Sequence, residues 1–204
     1  MVFTKLLVAK PGDLVFISDE ISLRDNNSVI KLEHRITKVN SFRVPKQKIS
    51  YHIFEIENER KELSYVILNI NDDKHEMGLY FDIAEFPQGS NRTDCLNQGI
   101  RWLFQQPEND NFKASDLLFT DDINHGEVKY TKKFPTIFGE LRTDMVNFCS
   151  VTEYQSKNEI DNQDILLLEI GGLDSKNNLI ADGGSLRLLQ GRKLNNNDIE
   201  VLNG

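Results

Sequence analysis

From Leu14 to Leu202 the chain is a succession of short apolar runs divided by clusters of Asn, Asp, Gly and Lys. That punctuation restricts it to folds made of many short strands joined by tight turns. Residues 14–17 follow the turn Pro11-Gly12-Asp13. In 29–39, Ile30, Leu32, His34 and Ile36 fall on one side and Lys31, Glu33 and Arg35 on the other. Such a period of two is what a half-buried strand requires. Residues 51–57 and 64–70 read as a hairpin joined by the polar segment 58–62. Within it Tyr65-Val66-Ile67-Leu68 is continuous enough for burial on both faces. A further strand over 77–83 follows the turn 71–74.

The period changes once. In 92–106, Leu96, Ile100, Leu103 and Phe104 recur at the spacing of one helical face. Ser90 or Thr93 would cap the start and Pro107 the end, while Gly99 weakens the middle by about 1 kcal/mol. Ala114 to Phe119 adds a further helical turn. Strand character returns in 128–134, in 145–154 (where Val, Phe, Thr and Tyr outweigh a competing helical reading), and in 165–170, 184–189 and 199–202. Gly171-Gly172 and Gly183-Gly184 supply the freedom that tight turns need.

The expected class is therefore α+β, mainly β: antiparallel sheets or small barrels in two β-rich segments with one amphipathic helix between them. The segments are 1–86, a helical connector 87–125, and 126–204, with a single domain as the alternative. HIFEIE followed by SYVILNI resembles LLLEIGG followed by GSLRLLQG. A duplicated module and a chance likeness of two hairpins both account for that.

Composition narrows the functional classes. With 32 acidic against 24 basic residues the net charge is −8. Neither small basic run (Arg43, Lys46, Lys48; Lys129, Lys132, Lys133) offers the extended patch that phosphate backbones require, so no nucleic-acid partner is expected. No run is long enough to span a bilayer, and residues 1–10 lack the core of a secretion signal. Two cysteines, Cys95 and Cys149, fit reduced thiols in a cytoplasmic setting. The sequons at Asn26 and Asn91 then carry no meaning.

Candidate chemistry is sparse. Asp72 with His75, and Asp122 with His125, place carboxylates beside imidazoles, the ligand types of zinc, iron or manganese. Neither cluster has the spacing of a helical zinc site or a calcium loop, and such residues also build ordinary turns. Nucleophile-elbow and phosphate-loop motifs are missing, so no catalytic residue and no cofactor is expected. Glu55 and Glu57 share a strand face, and with Glu169 they could serve a carboxylate mechanism only if assembled in space. Arg101 and Trp102 on the expected helix are candidates for a partner surface, where both types are enriched, although Trp102 also suits a role covering the core.

The opening PGDLVFI (Pro11 to Ile17), the pair YHIFEIE and SYVILNI, and the close ILLLEIGG with DGGSLRLLQGRKLNNNDIEVL resemble the bacterial YjfK-like family. The resemblance covers most of the chain but carries no catalytic residues across. It implies an accessory role in envelope stress. The expectation is a non-enzymatic cytoplasmic protein-interaction module. The alternatives are an acidic immunity or inhibitor protein, and a hydrolase or metalloprotein whose site forms only in space.

Overall fold

Phe54 and Ile56 alternate with Glu55 and Glu57, so one face of their strand is apolar and must be covered. The computed structural model describes residues 2–18, 31–44, 48–72, 74–86, 122–125, 128–132, 137–141, 149–156, 163–170 and 185–204. Among them the fold is mostly β with little helix. Helix α1 is Val2–Leu7. The first five strands are β1 Leu14–Ser18, β2 Lys31–Val44, β3 Ile49–Asn58, β4 Leu63–Asn71 and β5 Lys74–Phe86. The others are β6 Asp122–His125, β7 Val128–Lys132, β8 Ile137–Leu141, β9 Cys149–Ser156, β10 Gln163–Ile170, β11 Ser185–Lys193 and β12 Ile199–Leu202.

Two compact units result. The first holds Met1–Ser41, Lys48–Tyr80 and Lys193–Gly204, and the second Phe42–Gln47 and Phe81–Arg192. In the first unit the strand order is β12-β1-β2-β3-β4-β5. Its described registers are antiparallel, with Val15 opposite both Val201 and His34, and Ile67 opposite both Ile53 and Gly78. One apolar core collects Val15, Ile36, Phe54, Leu68, Met77 and Val201, with Leu6 of α1 completely buried among them. Burying side chains of this size is worth roughly 1.5–3 kcal/mol each, which gives a strand too weak alone its place in the sheet. The other face of β3 and β4 is also buried, through Tyr51, Ile53, Tyr65 and Ile67. Asn69 Nδ2 donates to the Tyr51 hydroxyl at 3.0 Å there. Residues 64–68 are buried without a break, as the continuous apolar run requires.

The β3–β4 turn is built by Asn58. Its Oδ1 accepts the backbone N–H of Arg60 at 2.9 Å and of Glu62 at 3.0 Å. Lys61 closes the turn with φ 62°, in the left-handed region.

In the second unit the order is β11-β10-β9-β7-β6, with β8 paired to β9 and to the end of β2 at Phe42. All described registers are again antiparallel, for example Leu167 opposite Leu188 and Thr152. Arg187 Nη1 donates to Asp82 Oδ2 at 2.8 Å, and both side chains are largely buried.

The expected runs at 14–17, 51–57, 64–70, 77–83, 165–170 and 199–202 all lie in strands. The 145–154 run is strand over its described part. The expected helix at 92–106 and the turn at 114–119 lie outside the described residues. Three elements had no counterpart in the expectation: α1, β6 and β8. Each has four to six residues, too few for a period to show. In β2 the inward phase also shifts. His34 and Ile36 are buried, yet Val39, not residue 38, packs against the core next. Leu32, expected inside, is 47% exposed, although Ile17 opposite it is buried.

Candidate functional site

Asp72 lies in the β4–β5 turn at φ 50°, its carboxylate exposed and 4.0 Å from Lys48 Nζ. An exposed pair at that distance contributes little. His75, three residues on, faces α1: its ring centroid is 5.1 Å from that of Phe3, tilted by 52°. The imidazole thus packs on the helix. Among the described residues no three His, Cys, Asp or Glu side chains form a group that could hold a metal. Asp122 and His125 are the first and last residues of β6, opposite Thr131 and Val128. Their side chains, together with Arg101 and Trp102, lie outside the described residues.

Glu55 and Glu57 are half-buried on β3. Lys38 Nζ stands 3.7 Å from Glu55 Oε1, and Thr37 Oγ1 donates to the Glu55 carbonyl at 3.2 Å. These contacts make Glu55 part of a β2–β3 tie. Glu169, on β10 opposite Ser150 and Leu186, belongs to the other unit.

Sequence reasoning missed several polar contacts because they join distant positions. Ser41 Oγ and His52 Nδ1 are 2.8 Å apart across β2 and β3. A hydroxyl on an imidazole begins a nucleophile–base pair, but acyl transfer also needs oriented N–H donors for an oxyanion. Ser41 sits inside a paired strand, where N–H groups serve the ladder. The contact ties two strands together.

Asp13 is buried beside α1. Its Oδ2 accepts the Lys10 N–H at 3.0 Å and its Oδ1 the Gly204 N–H at 3.2 Å. The Lys10 N–H is the main cause holding this carboxyl below the usual range, with burial opposing it. His34 is held below the ordinary imidazole range by burial, opposed by its Nδ1 bond to the Leu32 carbonyl at 3.1 Å.

The remaining feature is apolar. Helix α1 turns Leu6 into the core, while Leu7 at its end is 43% exposed and Val8 just beyond it 68%. It meets β12 through Lys5 Nζ, which donates to the Val201 carbonyl, and through Asn203 Nδ2, which donates to the Lys5 carbonyl, each at 3.2 Å. Leu202, between those two contacts, is 46% exposed. Leu7 and Val8 are therefore exposed at the end of the helix, while Leu202 alternates with Val201, which shares the core with Leu6, and so points to the opposite face of β12.

No helix among the described residues is long and apolar enough to cross a membrane. Compared with known proteins, the chain matches no family model, no curated protein and no solved structure.

Proposed function

We propose that the chain is a non-enzymatic protein-interaction module of the cytoplasm, with another protein rather than nucleic acid as its partner. The observation that supports this is the α1–β12 corner. Leu7, which ends α1, and Val8, which follows it, are both exposed where the helix is tied to β12 by two hydrogen bonds. Isolated exposed leucines are ordinary, whereas neighbouring ones rimmed by polar groups are the usual make-up of a partner surface. Lys5 and Lys10 flank the two apolar residues in the sequence. On the resemblance to the YjfK-like family, such a module would have an accessory role in envelope stress.

The test is quantitative capture with the tagged full chain, followed by affinity measurement on the purified partner. Wild type and the control Leu63→Ser, altered at another exposed leucine, should bind alike. The double variant Leu7→Ser, Val8→Ser should bind at least about tenfold more weakly, a loss of about 1.4 kcal/mol. Recovery of no stoichiometric partner under any growth condition, or equal binding by the double variant, would overturn the reading.

A further inference from the structure

The sequence likeness between the two hairpins extends to their pairing. Phe54-Glu55-Ile56 aligns with Leu168-Glu169-Ile170 and, across a connection seven residues longer in the second hairpin (14 residues against 7), Ser64-Tyr65-Val66-Ile67-Leu68-Asn69 aligns with Ser185-Leu186-Arg187-Leu188-Leu189-Gln190. In the first unit Glu55 is opposite Tyr65, and Ile56 is opposite Ser64. In the second unit Glu169 is opposite Leu186, and Ile170 is opposite Ser185. The register is the same at every aligned pair. A slip of one residue in either hairpin would have broken the match at every pair.

A third strand follows the same rule. The orders β2-β3-β4 and β9-β10-β11 correspond. Ser41 reaches His52 by a side-chain contact across β2 and β3, and Leu166, the counterpart of His52, is opposite Glu153, so the pairing itself matches Ser41 with Glu153. Val39 and Phe42 then align with Val151 and Tyr154. Burial repeats as well: Phe42 and Tyr154, Ile67 and Leu188, and Leu68 and Leu189 are all buried. We infer that the chain contains two copies of one three-stranded antiparallel module, 39–69 and 151–190, and that the copies have diverged at their centre. Val66 is a fully buried core residue, whereas its counterpart Arg187 is ion-paired with Asp82.

The inference is independent of the proposed binding role and can be tested on the full chain by nuclear magnetic resonance. Asn58 N–H donates to the Glu62 carbonyl, which makes Ile56 with Ser64 and Phe54 with Val66 the hydrogen-bonded pairs. Glu55 with Tyr65 and Ile53 with Ile67 are then the non-bonded pairs. Their Cα atoms approach to about 4.5 Å, against about 5.5 Å in the bonded pairs, and only they give strong Hα–Hα cross-peaks. Duplication requires strong cross-peaks at Glu169 with Leu186 and at Leu167 with Leu188. It requires their loss at Leu168 with Arg187 and at Leu166 with Leu189. The reverse pattern, or cross-peaks at neither set, would overturn it.

Discussion

Asp13 Oδ2 accepts the backbone N–H of Lys10 at 3.0 Å, closing the turn that carries the chain from α1 into β1. The other oxygen accepts from Gly204, so one carboxylate satisfies two backbone donors, one local and one 191 positions away. An asparagine has a single carbonyl acceptor, so Asp13→Asn should lower the melting temperature at pH 7. The pH dependence has a fixed sign. The folded pKa lies below the ordinary value of 3.8, so the contribution is complete above that value and is lost as pH falls through the folded pKa. Thermal melts of wild type and variant should therefore converge as pH drops below about 3.8. A gap that stays constant into acid would refute this.

His34 gives a second, separable pH effect. It faces Val15 across β1 and β2 with little exposure, and burial keeps it neutral. Its folded pKa is below 6.5, so the unfolded chain binds the proton first. Stability should fall as pH drops from about 6.5 toward the folded pKa, and level off beneath it. In His34→Leu that slope should be reduced relative to wild type. Urea midpoints at half-unit steps from pH 7.5 to 5 would measure it, and equal slopes in the two proteins would count against the assignment.

Most of the strands were legible because their residues declare themselves locally. The run Tyr65 to Leu68 needs no partner to be recognised as doubly buried, and Asn58 to Glu62 has the composition of the turn it forms. What decides the polar contacts is not local. Lys5 meets Val201 across 196 positions and Asp13 meets Gly204 across 191. No spacing rule foresees such pairs, because strand order is set by which apolar faces can be buried together. The return of residues 193–204 to the first unit was illegible for the same reason. Among the candidate site residues, Asp72 and His75 are three apart in sequence yet turn to different neighbours, Lys48 and Phe3. Their closeness in sequence reflects a turn.

Lys61 provides a test of backbone strain. At φ 62° its Cβ crowds the following carbonyl, which costs a non-glycine residue roughly 1–2 kcal/mol. Glycine avoids that cost but gives up about 0.5–1 kcal/mol of chain entropy. Lys61→Gly should therefore stabilise the protein by up to about 1 kcal/mol, read as a higher urea midpoint at unchanged slope. A lower midpoint would show that the Asn58 contacts already hold the turn without strain.

Arg187 and Asp82 allow the charge pair to be separated from its packing. A guanidinium or carboxylate that loses this contact in a largely buried place keeps its desolvation cost without the compensating charge. Arg187→Leu should destabilise by about 1–3 kcal/mol or more, as should Asp82→Leu. The double variant should lose less than the sum of the two, because neither charge is then stranded. Chemical denaturation of all four proteins gives the coupling directly. Strict additivity would mean that the 2.8 Å contact carries no net interaction. In that case, the replacement of the core valine of β4 by arginine in β11 would need a cause other than the pairing with Asp82.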